Sequence, residues 1–431
     1  MASKACIQAS TAVQKRRLKR QVVGASSRFQ CDRGFLILPD SGVERDCSVS
    51  RIPAPPPPSG LPMWGRSKHD ANNAIIVRSS VALHGGDEVE KCRCVVFLGF
   101  VSSKFFTTSE TAKTESKMSQ IKQYKVTEPW LNTSCGLGEA PFWDKKSNTL
   151  RFLDIIKKQL HVVNLNEGPS SHKTIDLPFS IGCTANIEGN DDEFIFGGKD
   201  GYGIANKKTG EPRYIKKFWS DEEVQSGRAH RSRSNDGSVD SHGRFYVGTM
   251  NDPTIVGEPG PEGVLFRLDP DLSLHRIKEP VTIPNGMSWT LDNKTMYITD
   301  SPTGKIEAYD YNVDTGKIEL TAGRPFFECP IEGGVPDGHC QDAQGHFWVA
   351  LFGTSKVVRV SPAGDIVAEI TLPTRCVTCP GICGEDLYIT SAAEEDPDKY
   401  PESAKLQGAT FKVPIGVTAA PINEFKMSAK A

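Results

Sequence analysis

The sequence predicts an all-β protein built as a six-bladed β-propeller, because three of its features coincide. Short apolar runs recur at intervals of roughly 40 to 50 residues, which is the period of propeller blades. Glycine and proline are frequent, at 39 and 29 of 431 residues, as expected where many short strands are joined by turns. Helical periodicity is almost absent, and only residues 221–225 suggest a turn of helix. The six runs begin near Leu150, Phe194, Phe245, Met296, Phe347 and Leu387.

Each apolar run opens a unit in which further strands follow. In the fifth unit, residues 347–350 are followed by a second strand candidate at 357–360, a turn at 363–365 and a third alternating run at 366–372. Six units of about four short antiparallel strands make a six-bladed propeller. A pair of β-sandwiches is the rival architecture, but it would not explain why one motif recurs through the whole region.

Residues 1–117 differ from the patterned part of the chain. A basic run lies at 15–20, no acidic residue precedes Asp32, and four prolines follow one another at 55–58. Three interpretations compete: a mitochondrial-type targeting arm, a disordered extension, or translated sequence that is not part of the natural protein. Met118 is a plausible alternative start. We expect a poorly structured N-terminal extension over 1–117 and a propeller catalytic domain over 118–431.

Charge and hydropathy limit the classes of partner. The net charge of −2 argues against nucleic acid as the principal partner. No apolar stretch approaches the ~20 residues that a membrane helix needs. We therefore expect a soluble, cytoplasmic protein that uses neither nucleic acid nor membrane, with mitochondrial targeting left open by the N-terminal extension. A monomer or weak dimer is expected.

The twelve cysteines are scattered through a large chain, so reduced thiols are the better prediction. The densest cluster is Cys376, Cys379 and Cys383. A zinc site there would need a second ligand pair at matching spacing, and none follows. We expect buried or channel-facing thiols.

Four units carry an oxygen-bearing side chain shortly before a turn aspartate. Residues at the same position of a repeated unit occupy equivalent places in space, so these side chains should ring one mouth of the central channel. Taken singly, several of these positions are ordinary turn signals; the shared position favours a site. The side chains are Glu139, Asn235, Asn285 and Asp337, and the aspartates are Asp144, Asp240, Asp292 and Asp342.

Carboxylate and amide oxygens in such a ring suit one hard divalent cation such as calcium, magnesium or manganese. Zinc remains possible, although His339 is the only histidine nearby. The third repeat is ambiguous, because counting back from the aspartate selects Asn235 whereas matching the following glycine selects Asp236. Arg233 should point into the same mouth, where it would bind an anionic or hydroxyl-rich substrate or stabilise an oxyanion; the alternative is a surface arginine. His339 is a candidate proton shuttle, with a structural role as the stronger interpretation.

Five motifs in order resemble the senescence marker protein (regucalcin), gluconolactonase and luciferin-regenerating enzyme family. The resemblance runs from about Gln123 to the C-terminus and leaves residues 1–117 uncovered. The motifs are Gly138-Glu-Ala-Pro141, Arg233-Ser-Asn-Asp-Gly237, Gly248-Thr-Met250, Asn285-Gly286 with Trp289, and Pro336-Asp-Gly338.

The resemblance implies a six-bladed propeller that binds one divalent cation in its channel and hydrolyses sugar lactones. Glu139, Asn285 and Asp337 would be the metal ligands, and Asp337 would also be the general base. Asn235 and Arg233 would contact substrate.

The sequence departs from the family pattern at two positions. Pro253 stands where regucalcin-type members carry a substrate-contacting glutamate, and Ser234 replaces a commonly aromatic residue, which would widen the pocket. Sugar preference therefore does not carry over.

The functional hypothesis is a metal-dependent, gluconolactonase-like lactonase acting on a small-molecule lactone. The cation would polarise the lactone carbonyl. The carbonyl carbon would be attacked by Asp337 or by a hydroxide generated from water. Two alternatives stay open: a non-enzymatic calcium-binding or scaffold propeller, and an arylesterase-type hydrolase on the same fold.

Overall fold

In this computed structural model the described residues are 121–428 and four short strands nearer the N-terminus. Two antiparallel pairs, β1 with β2 and β3 with β4, lie in a unit that spans Leu18–Glu110. The other residues of 1–117 lie outside the described part, and so does the prediction of a poorly structured extension. The four strands are β1 (Arg28–Cys31), β2 (Gly34–Ile37), β3 (Asp46–Val49) and β4 (Val77–Ser80).

The predicted six-bladed β-propeller is confirmed by six antiparallel sheets that follow one another along the chain. Blade 1 holds β6 (Gly138–Asp144), β7 (Thr149–Asp154), β8 (Gln159–Asn164) and β9 (Lys173–Asp176). Blade 2 holds β10 (Ile181–Ile187), β11 (Asn190–Gly198), β12 (Gly201–Asn206) and β13 (Pro212–Lys217). Blade 3 holds β14 (Ser232–Val239), β15 (Phe245–Asn251), β16 (Gly263–Leu268) and β17 (Leu274–Val281).

The remaining three blades vary this plan at their outer edges. Blade 4 holds β18 (Pro284–Trp289), β19 (Thr295–Asp300), β20 (Lys305–Asn312), β21 (Lys317–Ile318) and β22 (Arg324–Glu328). Blade 5 holds β23 (Val335–Gln341), β24 (Phe347–Phe352), β25 (Lys356–Val360) and β26 (Ile366–Thr371). Blade 6 holds β27 (Val377–Cys383), β28 (Asp386–Ser391) and β29 (Phe411–Pro414).

Short helices occupy the loops between strands. The predicted helical turn at 221–225 is confirmed as α1 (Asp221–Gln225), which begins with a capping box in which Ser220 and Glu223 bond each other's backbone. The others are α2 (Pro253–Val256), α3 (Pro401–Ala404) and the 3₁₀ turns η1 (Gly168–Ser171), η2 (Ser301–Thr303) and η3 (Leu320–Ala322). No helix among the described residues is long and apolar enough to cross a membrane.

The innermost strands close the ring. Each contacts the innermost strand of the next blade, in the cycle β6, β10, β14, β18, β23, β27 and back to β6. Apolar side chains pack between neighbouring blades; for example, Tyr202 of blade 2 stacks edge-on against Phe245 of blade 3 and donates its hydroxyl to the Phe245 carbonyl at 2.9 Å. The six innermost strands therefore surround one central channel.

Residues before blade 1 complete blades 5 and 6. The strand β5 (Lys122–Lys125) adds to β26 as a parallel outer strand. Leu131 then exchanges backbone hydrogen bonds with Thr410, at 2.8 and 3.0 Å, beside β29. The first and last parts of the propeller are thus hydrogen-bonded to each other, which holds the ring closed.

The chain ends in a segment, residues 415–428, that we call the C-terminal strap. It crosses the channel mouth at which the innermost strands end. Its backbone pairs with Asp342 of blade 5 and with Ile187 of blade 2, and the Asn423 side chain donates to the Val239 carbonyl of blade 3 at 3.0 Å. Phe425 is fully buried among the apolar residues of blades 2 and 3. The strap closes part of the far mouth.

Candidate functional site

All four predicted side chains lie near the start of an innermost strand, at the mouth opposite the strap. Each of them is buried, with 3–7% of its surface exposed. Because the innermost strands begin at the same end of the channel, Glu139, Asn235, Asn285 and Asp337 come from blades 1, 3, 4 and 5 toward one mouth.

A β-bulge interrupts each innermost strand at the motif. The register shifts between Glu139 and Phe142 in blade 1 and between Asn285 and Met287 in blade 4, and blades 3 and 5 have equivalent shifts. Bulges re-aim side chains and occur often beside active sites. The turn-like dipeptides of the sequence are therefore bulges within strands.

The glycines that follow the motif residues are required by close packing of the innermost strands. A Cβ atom on Gly286 would lie 2.1 Å from His339 Nδ1, and one on Gly338 would lie 2.5 Å from Cys379 Sγ. Gly237 has Cys183 Sγ at 2.7 Å from the same position. The narrow channel explains why a glycine stands at this point of three blades.

A hydrogen-bonded chain joins blades 3 and 4 at the mouth. Arg233 Nη1 donates to Asn235 Oδ1 at 2.7 Å. The Asn235 amide nitrogen donates in turn to Asn285 Oδ1 at 3.2 Å and to the Pro284 carbonyl at 3.0 Å. Arg233 is buried, so it is not a surface arginine. The oxygen of Asn235 therefore accepts from the guanidinium, and the oxygen of Asn285 accepts from Asn235.

Ser301 fixes the orientation of the Asn285 amide, and sequence reasoning missed it. Asn285 Nδ2 donates to Ser301 Oγ at 2.9 Å, and Ser301 Oγ donates to the Pro336 carbonyl at 2.7 Å. Ser301 opens the 3₁₀ turn η2 between β19 and β20, and is buried. Its place outside the repeated motif left no signal in the sequence.

Three carboxyl groups at this mouth, those of Glu139, Asp236 and Asp337, have raised pKa values. Burial raises the pKa of Glu139 well above its usual range, and the charges of Asp337 and Asp236 raise it further. Burial and Asp236 likewise raise the pKa of Asp337. Burial raises the pKa of Asp236 to about 6. Arg233 opposes the shift at Glu139 and Asp337, but one guanidinium does not balance three carboxylates.

Both candidates for the third repeat, Asn235 and Asp236, interact with motif residues of other blades. Asn235 enters the hydrogen-bonded chain with Asn285, and Asp236 lies within electrostatic range of Glu139 and Asp337. The strand is bulged between Ser234 and Gly237, and a bulge can direct the side chains of two neighbouring residues to the same side of a strand.

The chemistry of this donor set fits a hard divalent cation. Two buried carboxylates and an amide oxygen are ligand types that calcium, magnesium and manganese prefer, and the Asn285 Nδ2–Ser301 hydrogen bond orients that amide. Burial is the largest cause of the raised pKa values of Glu139, Asp236 and Asp337, and a bound cation would favour the ionised forms. Among the described residues, no group of three or more His, Cys, Asp and Glu side chains could hold a metal ion; the candidate set contains two carboxylates and one amide.

His339 faces the channel below the mouth. Its Nε2 lies 2.7 Å from Ser288 Oγ, and its ring meets Phe347 edge-on. Burial lowers the pKa of His339 to about 4, so the imidazole is neutral near pH 7. This geometry supports the structural interpretation over the proton shuttle.

The lower channel contains a cavity of about 530 Å³. Asp236 lines its upper part together with Cys183 and Cys379, and residues 419–423 of the C-terminal strap line its lower part. The cavity therefore separates the carboxylates from the far mouth.

The cysteines behave as expected from the sequence where the structure describes them. Cys376, Cys379 and Cys383 are free and buried, and burial raises the pKa of each thiol. Protonated, buried thiols are weak nucleophiles and poor metal ligands.

The turn aspartates lie at the opposite end of the innermost strands. Asp240 accepts hydrogen bonds from the backbone N–H groups of His242 and Arg244, both at 2.9 Å. It also forms an ion pair with the Arg244 side chain. Asp342 binds the Arg359 guanidinium in the equivalent turn of blade 5. These aspartates order the turns between the first two strands and mark the repeat.

The two departures from the family motif have definite surroundings. Ser234 accepts from the Gly182 N–H at 3.2 Å and donates to the Gly197 carbonyl at 2.7 Å, which ties blade 3 to blade 2. Pro253 is buried as the first residue of α2.

The sequence model of the SMP-30/gluconolactonase/LRE-like region matches residues 137–393. YvrE of Bacillus subtilis (strain 168), described as a candidate sugar lactone lactonase, is 32% identical over 289 residues, which are 66% of this chain and 93% of that protein. Regucalcin of Xenopus laevis is 31% identical over 289 residues, covering 64% and 90% of the two chains.

Two solved structures share the fold at 24% identity. Regucalcin of Agrobacterium tumefaciens strain C58, named as a calcium-binding protein, superposes with a TM-score of 0.63 over 71% of this chain and 99% of that one. A luciferin-regenerating enzyme has a TM-score of 0.60 over 68% and 96%. The matched region contains the whole ring of motif residues, and the chain belongs to the SMP-30/gluconolactonase/LRE-like family.

Proposed function

We propose that this protein is a metal-dependent lactonase that opens a lactone ring to a hydroxy acid. The observation that supports this most directly is that three buried carboxylates, Glu139, Asp236 and Asp337, lie within electrostatic range of one another and of Arg233, which begins the hydrogen-bonded chain to Asn235 and Asn285. A structural ion would need ligands alone, whereas Arg233 adds a buried cation suited to a substrate oxygen. Family membership and the lactonase description of the Bacillus relative agree with it.

Glu139, Asn285 and Asp337 would hold the cation, which would supply Lewis acidity toward the carbonyl oxygen of the substrate. Calcium is the first candidate, because the Agrobacterium neighbour is named as a calcium-binding protein. Magnesium, manganese and zinc remain candidates on ligand chemistry.

Side chains of the protein carry out proton transfer and stabilise the developing negative charge. Asp337 accepts the proton of the attacking water. Arg233 donates toward the oxygen that gains negative charge, and Asn235 holds the guanidinium in place. The ring C–O bond then breaks, the departing alkoxide takes the proton that Asp337 accepted from water, and a hydroxy acid is released.

The test is a hydrolysis assay on metal-stripped full-length protein that is re-supplied separately with calcium, magnesium, manganese and zinc. D-Glucono-δ-lactone, an alkyl-substituted δ-lactone and phenyl acetate serve as substrates. We expect lactone turnover that is lost with chelator and restored by at least one metal. Turnover of phenyl acetate alone would favour an arylesterase, and metal binding without turnover of any substrate would favour a non-enzymatic calcium-binding propeller.

A further inference from the structure

The blade 3 side of the mouth is formed by two short helices. The helix α2 follows β15, which pairs with the strand of Arg233: Met250 is opposite Arg233, and the Asp252 N–H donates to the Arg231 carbonyl at 2.8 Å. The helix α1 lies in the loop that leads into the same strand, β14. We call α1, α2 and their loops, residues 218–231 and 252–262, the blade 3 rim.

This rim presents apolar side chains to solvent. Ile255 and Val256 of α2 are 42% and 37% exposed, and Val224 of α1 is 53% exposed. They are three of the six large hydrophobic side chains that are exposed in the described part of the chain. Exposed apolar side chains that gather beside a binding site commonly contact a ligand or a partner.

The two arginines of the rim, Arg228 and Arg231, are engaged with its glutamates. Arg231 Nε donates to Glu262 Oε2 at 2.6 Å. Arg228 is paired with Glu223 at 2.8 Å and also donates to the Glu262 carbonyl at 2.6 Å. These contacts tie the two loops together and neutralise the nearby cations.

Asp252 is similarly occupied. Its Oδ1 accepts from the Thr254 backbone at 3.0 Å and from the Thr254 hydroxyl at 2.6 Å, as the N-cap of α2. A substrate hydroxyl placed against Ile255 and Val256 would lose water without gaining a partner from those side chains, which is unfavourable.

We propose that the blade 3 rim binds an apolar substituent of the substrate, so that lactones carrying an alkyl or aryl group are preferred over polyhydroxylated sugar lactones. This inference rests on the proposed lactonase function and assigns the substrate class of that site. The lactone ring lies by Arg233 and Asn235, and its substituent extends over α2.

The experiment compares δ-nonanolactone with D-glucono-δ-lactone, two six-membered lactones that differ in their substituents. The enzyme is the full chain loaded with its activating metal, tested unmodified and as Ile255→Ser. Leu291→Ser is the matched control, because Leu291 is 51% exposed in the turn after β18 at the opposite mouth. Activity on gluconolactone also verifies that each variant is folded.

We expect kcat/KM for δ-nonanolactone to exceed that for gluconolactone by about tenfold or more. Ile255→Ser should lower kcat/KM for δ-nonanolactone by about fivefold, with little change for gluconolactone, and Leu291→Ser should change neither. An equal or higher kcat/KM for gluconolactone in the unmodified enzyme, or an equal effect of Ile255→Ser on both substrates, would overturn the inference and leave the lactonase proposal intact. If the holoenzyme hydrolyses neither lactone, the proposed function fails and this inference fails with it.

Discussion

The Asn235 amide nitrogen lies 3.2 Å from Asn285 Oδ1 and donates a hydrogen bond across the boundary between blades 3 and 4. The two asparagines occupy matching positions in their repeats but differ in what their oxygens do. Asn235 Oδ1 accepts from the Arg233 guanidinium, whereas Asn285 Oδ1 accepts from the amide of Asn235. The same residue type therefore serves as a positioning group in one blade and as a proposed ligand in the next.

Substituting the two asparagines should separate metal binding from turnover. Asn285→Ala should weaken binding of the activating cation by more than about tenfold, since it removes an oxygen ligand. Asn235→Ala should change that affinity by less than about threefold but lower kcat/KM by about 100-fold, because the Arg233 guanidinium loses its side-chain acceptor. Calorimetric metal titration and lactonase kinetics measure the two effects, and equal loss of metal affinity in both variants would contradict this division.

Ser301→Ala should weaken metal binding although Ser301 is not a proposed ligand. The substitution removes the acceptor of the Asn285 Nδ2 hydrogen bond, so the amide oxygen is no longer held in one orientation. Loss of such supporting hydrogen bonds typically costs about 10-fold or more in metal affinity. Saturating metal should restore most of kcat, which distinguishes an orienting role from a catalytic one.

Thr303→Ala is the control for this variant. Thr303 lies in the same 3₁₀ turn, and its hydroxyl bonds the Asp300 carbonyl on the exposed side. The control should retain metal affinity within about twofold. A metal affinity of Ser301→Ala equal to that of the unmodified protein would show that the Asn285 amide is oriented by other contacts.

The ring of blades could be predicted because its signals are local and repeated. Apolar strands and turn aspartates such as Asp240 recur with each blade, and the aspartates prove to order the turns they mark. The motif residues share one position in the repeat, so their common mouth followed from the period alone.

Other features depend on contacts between residues that are far apart in the sequence, and such contacts produce no recurring pattern in it. Gly286 and Gly338 resemble turn signals in the sequence, yet each is fixed by a neighbouring blade that lies too close for a Cβ atom. Ser301 acts from a connecting turn, and the C-terminal strap pairs with blades 2, 3 and 5, far from it in sequence. Only the folded ring brings these residues together.

The Glu395 carboxyl should make stability depend on pH in a defined direction. Glu395 is 4% exposed, and among the described residues neither of its oxygens has a hydrogen-bond partner. Burial raises the pKa of Glu395 from 4.5 to about 8, with Arg375 opposing and Glu394 adding to the shift. Folding therefore binds a proton between pH 4.5 and about 8, so this group's contribution to stability is greatest below pH 4.5 and declines as the pH rises through that window.

Glu395→Gln removes the ionisable group and should stabilise the protein at alkaline pH. We expect a free energy of unfolding higher by on the order of 2 kcal/mol at pH 8.5, and a much smaller gain at pH 5.5. Glu332→Gln, at an exposed residue of a mouth loop, makes the same charge change and should show no such difference. Denaturant unfolding at the two pH values gives the comparison, and a gain of equal size at both would rule out the linkage.

Phe425 should anchor the C-terminal strap and thereby stabilise the ring without taking part in turnover. Its side chain is fully buried among the core residues of blades 2 and 3, and its backbone bonds Asn186 and Glu188, both at 2.9 Å. Phe425→Ala would leave a cavity and should lower the free energy of unfolding by about 3–5 kcal/mol. Met427→Ala, at a side chain that is 39% exposed, should cost less than about 1 kcal/mol.

Because the strap lies at the mouth opposite Asp337, kcat/KM of Phe425→Ala measured well below its melting temperature should stay within about twofold of the unmodified enzyme. A large fall in kcat/KM with unchanged stability would instead mean that the strap acts on the carboxylates through the channel.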